Sequence, residues 1–96
     1  ARVYAGAGET MMAIASRCAR EGLAGLESAS GIPGTLGGAI YMNAGAYGQE
    51  MKDVVYAVRV LTREGEVREI SHAQMHFGYR SSAAQQNGWM ILGATL

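Results

Sequence analysis

One lysine, one proline, one cysteine, one tryptophan and one phenylalanine stand in a chain of 96 residues, and each scarcity narrows what the chain can be. Eight basic residues cancel eight acidic ones and Lys52 is the only lysine, so no cationic stripe offers itself to nucleic acid. A lone cysteine, Cys18, leaves no internal disulfide framework and suits a reducing compartment. With two histidines and no metal-ligand spacing, a zinc site is not expected. The apolar runs are far shorter than the ~20 residues a membrane span needs, and no signal peptide opens the chain. At 49% hydrophobic residues, one domain with a single modest core is the expectation.

Glycine is what the chain has in quantity, and six of its glycines fall between Gly31 and Gly48, in the run GIPGTLGGAIYMNAGAYG. That run carries no charged side chain. Bare backbone lets N–H groups approach a ligand closely, and successive N–H groups can hold an anion without any lysine or arginine. Pro33 sets the direction of approach, and Thr35 to Asn43 suits a short helix whose N-terminus would face that anion. A phosphate-bearing ligand laid on backbone is one implication. Glycines needed only for tight packing between elements would look the same in sequence.

Around this stretch the pattern predicts an α+β fold on a largely antiparallel sheet with flanking helices. Ala1 to Ala5 reads as a strand, and Gly6-Ala7-Gly8 as a turn into Thr10, a candidate N-cap. Met11, Ile14, Ala15 and Cys18 recur at helical spacing, and Gly22 is placed to end that helix. Cys18 on this stripe is expected to be a core residue. A dinucleotide fingerprint is not met, because Met11 stands where its third glycine belongs. Val54 to Thr62 alternates as a strand, Arg63 to Glu66 turns the chain, and Val67 to Ile70 returns. Ser71 and Gln74 form a capping box for a short helical turn carrying His72, with His76 just beyond it; both histidines read as ordinary surface or cap residues. Ala83 to Gly88 reads as a polar loop, and Trp89 to Leu96 as a final buried strand. Opening and closing on apolar strands, the sequence reads as a piece of a larger protein.

Between them lies Phe77-Gly78-Tyr79-Arg80-Ser81-Ser82, where an arginine beside a tyrosine could be a solvated loop residue or a fixed cationic fork for a carboxylate. Together with Gly22-Leu23-Ala24-Gly25-Leu26-Glu27 and the Gly31–Gly48 run, this cluster resembles the UDP-N-acetylenolpyruvoylglucosamine reductase (MurB) family over essentially the whole chain. The resemblance implies the second lobe of a vanillyl-alcohol-oxidase-type FAD-binding module, with the first lobe and the substrate domain elsewhere in the same polypeptide. It implies a cytoplasmic flavoenzyme of peptidoglycan synthesis that uses NADPH and FAD to reduce UDP-GlcNAc-enolpyruvate to UDP-N-acetylmuramate. Carried onto this chain, FAD would be held by Ser30, Gly31, Ile32, Pro33, Gly34, Thr35, Gly37, Gly38, Asn43, Ala44, Gly45 and Ala46. Tyr47, Tyr79 and Arg80 would meet the substrate, and Arg80 would be catalytic, stabilising negative charge on the reacting carboxylate. The family's proton-donating serine and partner glutamate have no match here, so the segment alone is expected to be inactive. An FAD lobe of a different oxidoreductase and a non-catalytic packing module are the competing interpretations.

Overall fold

The computed structural model describes residues 2–23, 25–46 and 48–96, and for residues 27 and 28 it describes the backbone only. Local signals set the first half. Strand β1 (Tyr4–Gly6) begins after Val3 and runs one residue beyond the expected Ala5, Ala1 lying outside the described residues, and helix α1 (Met11–Arg20) follows it. Thr10 caps α1 through its side chain, which accepts from the Ala13 N–H. Met11, Ile14 and Cys18 fall on one face three and four residues apart, and all three are buried. Gly22 at φ +73° ends the helix, with its own N–H on the Ala19 carbonyl and that of Leu23 on Cys18, a Schellman arrangement.

A four-stranded antiparallel sheet forms the other layer among the described residues, in the order β1-β6-β4-β5. Its remaining strands are β4 (Ala57–Leu61), β5 (Val67–Ser71) and β6 (Met90–Thr95). Helix α2 (Leu36–Tyr41), the small hairpin β2 (Gly45–Ala46) and β3 (Gln49–Glu50), and helix α3 (Ala83–Asn87) complete the fold. Register puts Ala5, Ala94, Val58 and Ile70 side by side across the sheet, and this row joins the α1 stripe and Leu36 and Ile40 of α2 in one core. Each such large side chain contributes roughly 1.5–3 kcal/mol through burial. The α+β architecture is the one the sequence predicted.

Two expectations need correction. Val54 to Tyr56 is not strand, because Met51–Asp53 forms a 3₁₀ turn in which Asp53 accepts the Glu50 N–H at 2.8 Å and Glu50 reciprocates. Ala83 to Gly88 is not a loop. Ala-Ala-Gln-Gln forms helices readily, Gly88 at φ +67° stops the turn, and both alanines are buried against the core side. The Ser71–Gln74 capping box does form, each backbone N–H meeting the other's side chain.

Candidate functional site

The glycine-rich run lies on the surface. Ile32 and Leu36 point inward as anchors, while Ser30, Gly31, Pro33, Gly34, Thr35 and Gly38 are exposed. The run is therefore a ridge of backbone pinned by two apolar side chains. Its helix does not offer its first turn to an anion, as the sequence suggested. The Leu36 N–H donates to the Glu9 carbonyl at 2.8 Å, that of Gly37 to Ala7 at 3.0 Å, and that of Gly38 to Thr35 Oγ1 at 3.3 Å. The reason is the β1–α1 loop. Glu9 accepts the Gly6 N–H and pairs with Arg17 at 3.1 Å, which fixes the loop so that its carbonyls meet α2 end-on. Just before the helix, no acceptor among the described residues is bonded to the N–H of Gly34 or Thr35.

The glycines divide between packing and open surface. A Cβ on Gly37 would lie 3.0 Å from that of Ala7, and one on Gly45 would sit 2.8 Å from the Gln49 carbonyl oxygen. Those two are needed for close approach of elements. Gly34 and Gly48, at φ +89° and +78°, have nothing within reach of an added Cβ, so their backbone geometry is what requires glycine.

Folding brings the distant motifs together. A groove of about 850 Å³ is lined by Pro33, by Asn43 to Ala46, and by Tyr79 and Arg80. Its other wall carries Glu50, Lys52 and Asp53. These carboxylates are engaged: Glu50 takes a hydrogen bond from Asn43 Nδ2 at 3.1 Å and lies 3.7 Å from the Lys52 ammonium, and Asp53 caps Glu50. Gly78 and Ser81 exchange backbone hydrogen bonds at 3.1 and 3.3 Å, closing a tight turn with Tyr79 and Arg80 at its tip. Arg80 there has φ +49°, a conformation that costs a non-glycine residue about 1–2 kcal/mol. Its guanidinium carbon lies 5.5 Å from the Tyr79 ring centre, and Tyr79 is 84% exposed. An arginine held in a strained turn at the rim of an exposed backbone groove is where a bound carboxylate or phosphate would be met.

Asn43 occupies the groove wall with its side chain already spent. Nδ2 donates to the Gly78 carbonyl at 2.8 Å as well as to Glu50, and Oδ1 accepts the Lys52 N–H at 2.9 Å. It is buried, at φ +47°, and joins α2, the 3₁₀ turn and the arginine turn. Its own N–H is likewise engaged, donating to the Ile40 carbonyl at 3.1 Å. Gly31, Ile32, Gly34, Thr35, Gly37 and Gly38 stand on the ridge outside the groove lining, and Tyr47 lies outside the described residues. In the sequence Ser82 stood in the arginine cluster with no role assigned to it, and Gln85 was passed over. The buried Ser82 Oγ donates to the Tyr41 carbonyl at 2.9 Å, and Gln85 reaches the same oxygen. Ser82 closes the Phe77–Ser82 cluster, whereas Gln85 lies in no motif.

Among the described residues no group of acids, histidines or cysteines could hold a metal ion. Residues 1–71 match the family model of an FAD binding domain, and the chain belongs to that family. Over nearly its full length it is similar to one group of reductases in particular. It is 50% identical over 95 residues to UDP-N-acetylenolpyruvoylglucosamine reductase of Clostridioides difficile, covering 99% of this chain and 31% of that protein. It is 48% identical over 93 residues to the same-named protein of Lachnoclostridium phytofermentans, covering 97% of this chain and 30% of that one. Among solved structures, UDP-N-acetylenolpyruvylglucosamine reductase (MurB) from Thermus caldophilus superposes with a TM-score of 0.85 at 36% identity, covering 96% of this chain and 34% of the other. The resemblance carried by the three motifs is thus borne out across the chain, which spans about a third of the length of these relatives.

Proposed function

We propose that this chain is the second lobe of a two-lobed FAD-binding module in a reductase that converts UDP-GlcNAc-enolpyruvate to UDP-N-acetylmuramate in the cytoplasm during cell-wall synthesis. The observation that carries this is the meeting of Pro33 and the Asn43–Ala46 segment with Tyr79 and Arg80 in one groove. When bound, FAD supplies the hydride chemistry, with NADPH as the source of reducing equivalents.

The residues of the chain divide the remaining work. The exposed residues Ser30, Gly31 and Pro33 to Thr35, and Gly45 with the half-buried Ala44 and Ala46 beside the groove, receive the cofactor, aided by the positive φ of Gly34. Thr35 caps α2 and so keeps the ridge in shape. Arg80 presents its planar fork to the enolpyruvyl carboxylate and stabilises negative charge that grows there as the double bond is reduced, an effect larger in the transition state than in the ground state. Tyr79, beside the guanidinium, restricts its swing and offers a ring face to the sugar. Tyr47 is assigned to the substrate on the resemblance alone. The groove closes only when the rest of the polypeptide covers it, so the isolated segment is inactive.

In the full-length enzyme, Arg80→Ala is expected to lower turnover on the order of 10²–10³-fold while FAD content stays within twofold of native. Flavin absorbance and steady-state rates measure the two. Equal loss of both would make Arg80 structural. Reduced flavin that reoxidises as fast without UDP-GlcNAc-enolpyruvate as with it would point to a different oxidoreductase.

A further inference from the structure

We propose that Gln85 is a positioning residue that holds Arg80 in its strained conformation by tying the turn to the end of α2. Half-buried at the third position of α3, Gln85 sends Nε2 to three acceptors. The Tyr41 carbonyl lies at 2.9 Å, the Arg80 carbonyl at 3.1 Å and the Met42 sulfur at 3.2 Å. An amide has two protons to give, so the two carbonyl oxygens account for both and the thioether is a neighbour. Tyr41 is the last residue of α2, and its carbonyl has no partner within the helix.

The other restraints close the turn around residues 79 and 80 or flank it, and among them Ser82 Oγ donates to the same Tyr41 carbonyl at 2.9 Å. Gly78 and Ser81 bond to each other, and Asn43 holds the Gly78 carbonyl. Among the described residues, the Gln85 bond is the one that lands on residue 80 itself. Because φ +49° is disfavoured for arginine, releasing that carbonyl lets the backbone leave the left-handed region and carries the guanidinium out of the groove. Misplacement of a substrate-contacting group by about 1 Å can cost on the order of 10² in rate. This inference rests on the proposed role of Arg80.

The test uses the full-length flavoenzyme with Gln85→Glu, Gln85→Lys, Arg80→Ala and the Gln85→Glu/Arg80→Ala double variant. Gln85→Glu keeps the shape but turns a carboxylate toward two carbonyls, whereas Gln85→Lys restores a donor. We expect Gln85→Glu to lower kcat 10–100-fold with KM, FAD content and Tm near native. Gln85→Lys should recover most of that loss. On the Arg80→Ala background the Glu substitution should cost less than a further twofold, because the two act as one unit. Independently of activity, the amide protons of Gly78 and Ser81 should exchange about tenfold faster in Gln85→Glu. Native turnover in Gln85→Glu beside a crippled Arg80→Ala overturns this inference alone. So does a multiplicative loss in the double variant, or a Gln85→Glu or Gln85→Lys protein that loses Tm and FAD in step with rate. Native turnover in Arg80→Ala overturns both this inference and the proposed function.

Discussion

Arg80 holds φ at +49°, which disfavours an arginine by about 1–2 kcal/mol and a glycine hardly at all. Arg80→Gly is therefore expected to raise the stability of the full-length enzyme by about 1 kcal/mol in urea melts while turnover falls at least as far as in Arg80→Ala. A protein that became less stable would show that the guanidinium contributes to folding after all. What singled this residue out in the sequence was its place in a family motif; its strain was not legible. Asn43 was named in the sequence as a cofactor-binding candidate, and the structure shows its side chain bonded within the fold. Its amide answers Gly78, 35 positions away, and such partners cannot be read from a linear pattern. The same holds for Gln85, whose acceptor on Tyr41 is 44 residues distant.

Helix α2 shows how two adjacent glycines can differ in purpose. Ala normally outperforms Gly inside a helix by about 1 kcal/mol. At Gly37 the added methyl meets the Ala7 Cβ at 3.0 Å and its carbonyl oxygen at 3.3 Å, disturbing the bond that docks α2 on the β1–α1 loop. Overpacking of this kind costs about 1–3 kcal/mol, so Gly37→Ala should destabilise. At Gly38 the methyl finds only Thr35 Oγ1 at 3.5 Å, so Gly38→Ala should stabilise by about 0.5–1 kcal/mol and weaken FAD retention if cofactor lies against the ridge. Chemical denaturation and flavin content of the two variants decide this. Elements built on local chemistry, such as α1 with its Thr10 cap and Gly22 stop, were readable in advance. Helix α3 was not, because a five-residue polar segment reads as a loop until the Tyr41 carbonyl, which takes bonds from Ser82 and Gln85, and the burial of Ala83 and Ala84 are seen to select its helical form.

At the scale of the molecule, the insertion of β6 between β1 and β4 is what the sequence left undetermined, since strand order depends on pairings far apart in the chain. Gly93 sits at that junction. An added Cβ would collide with the Tyr4 ring and come within 2.7 Å of the Ala5 carbonyl oxygen. Gly93→Val should therefore cost about 3 kcal/mol, and Tyr4→Ala should not rescue it, because the backbone oxygen stays; thermal melts of the single and double variants check both statements. The hairpin of β2 and β3 stands apart from this framework. Two residues per strand are too few to be stable alone, and the hairpin is fastened to the body by Asn43 on Glu50 and by Gln49 on the Gly25 carbonyl at 3.2 Å. Deuterium should consequently enter residues 45, 46 and 48–50 through a small local breath that leaves β4 and β6 shut. An occupant of the groove would then announce itself as a slowing confined to those few amides, a footprint readable without any assay of chemistry.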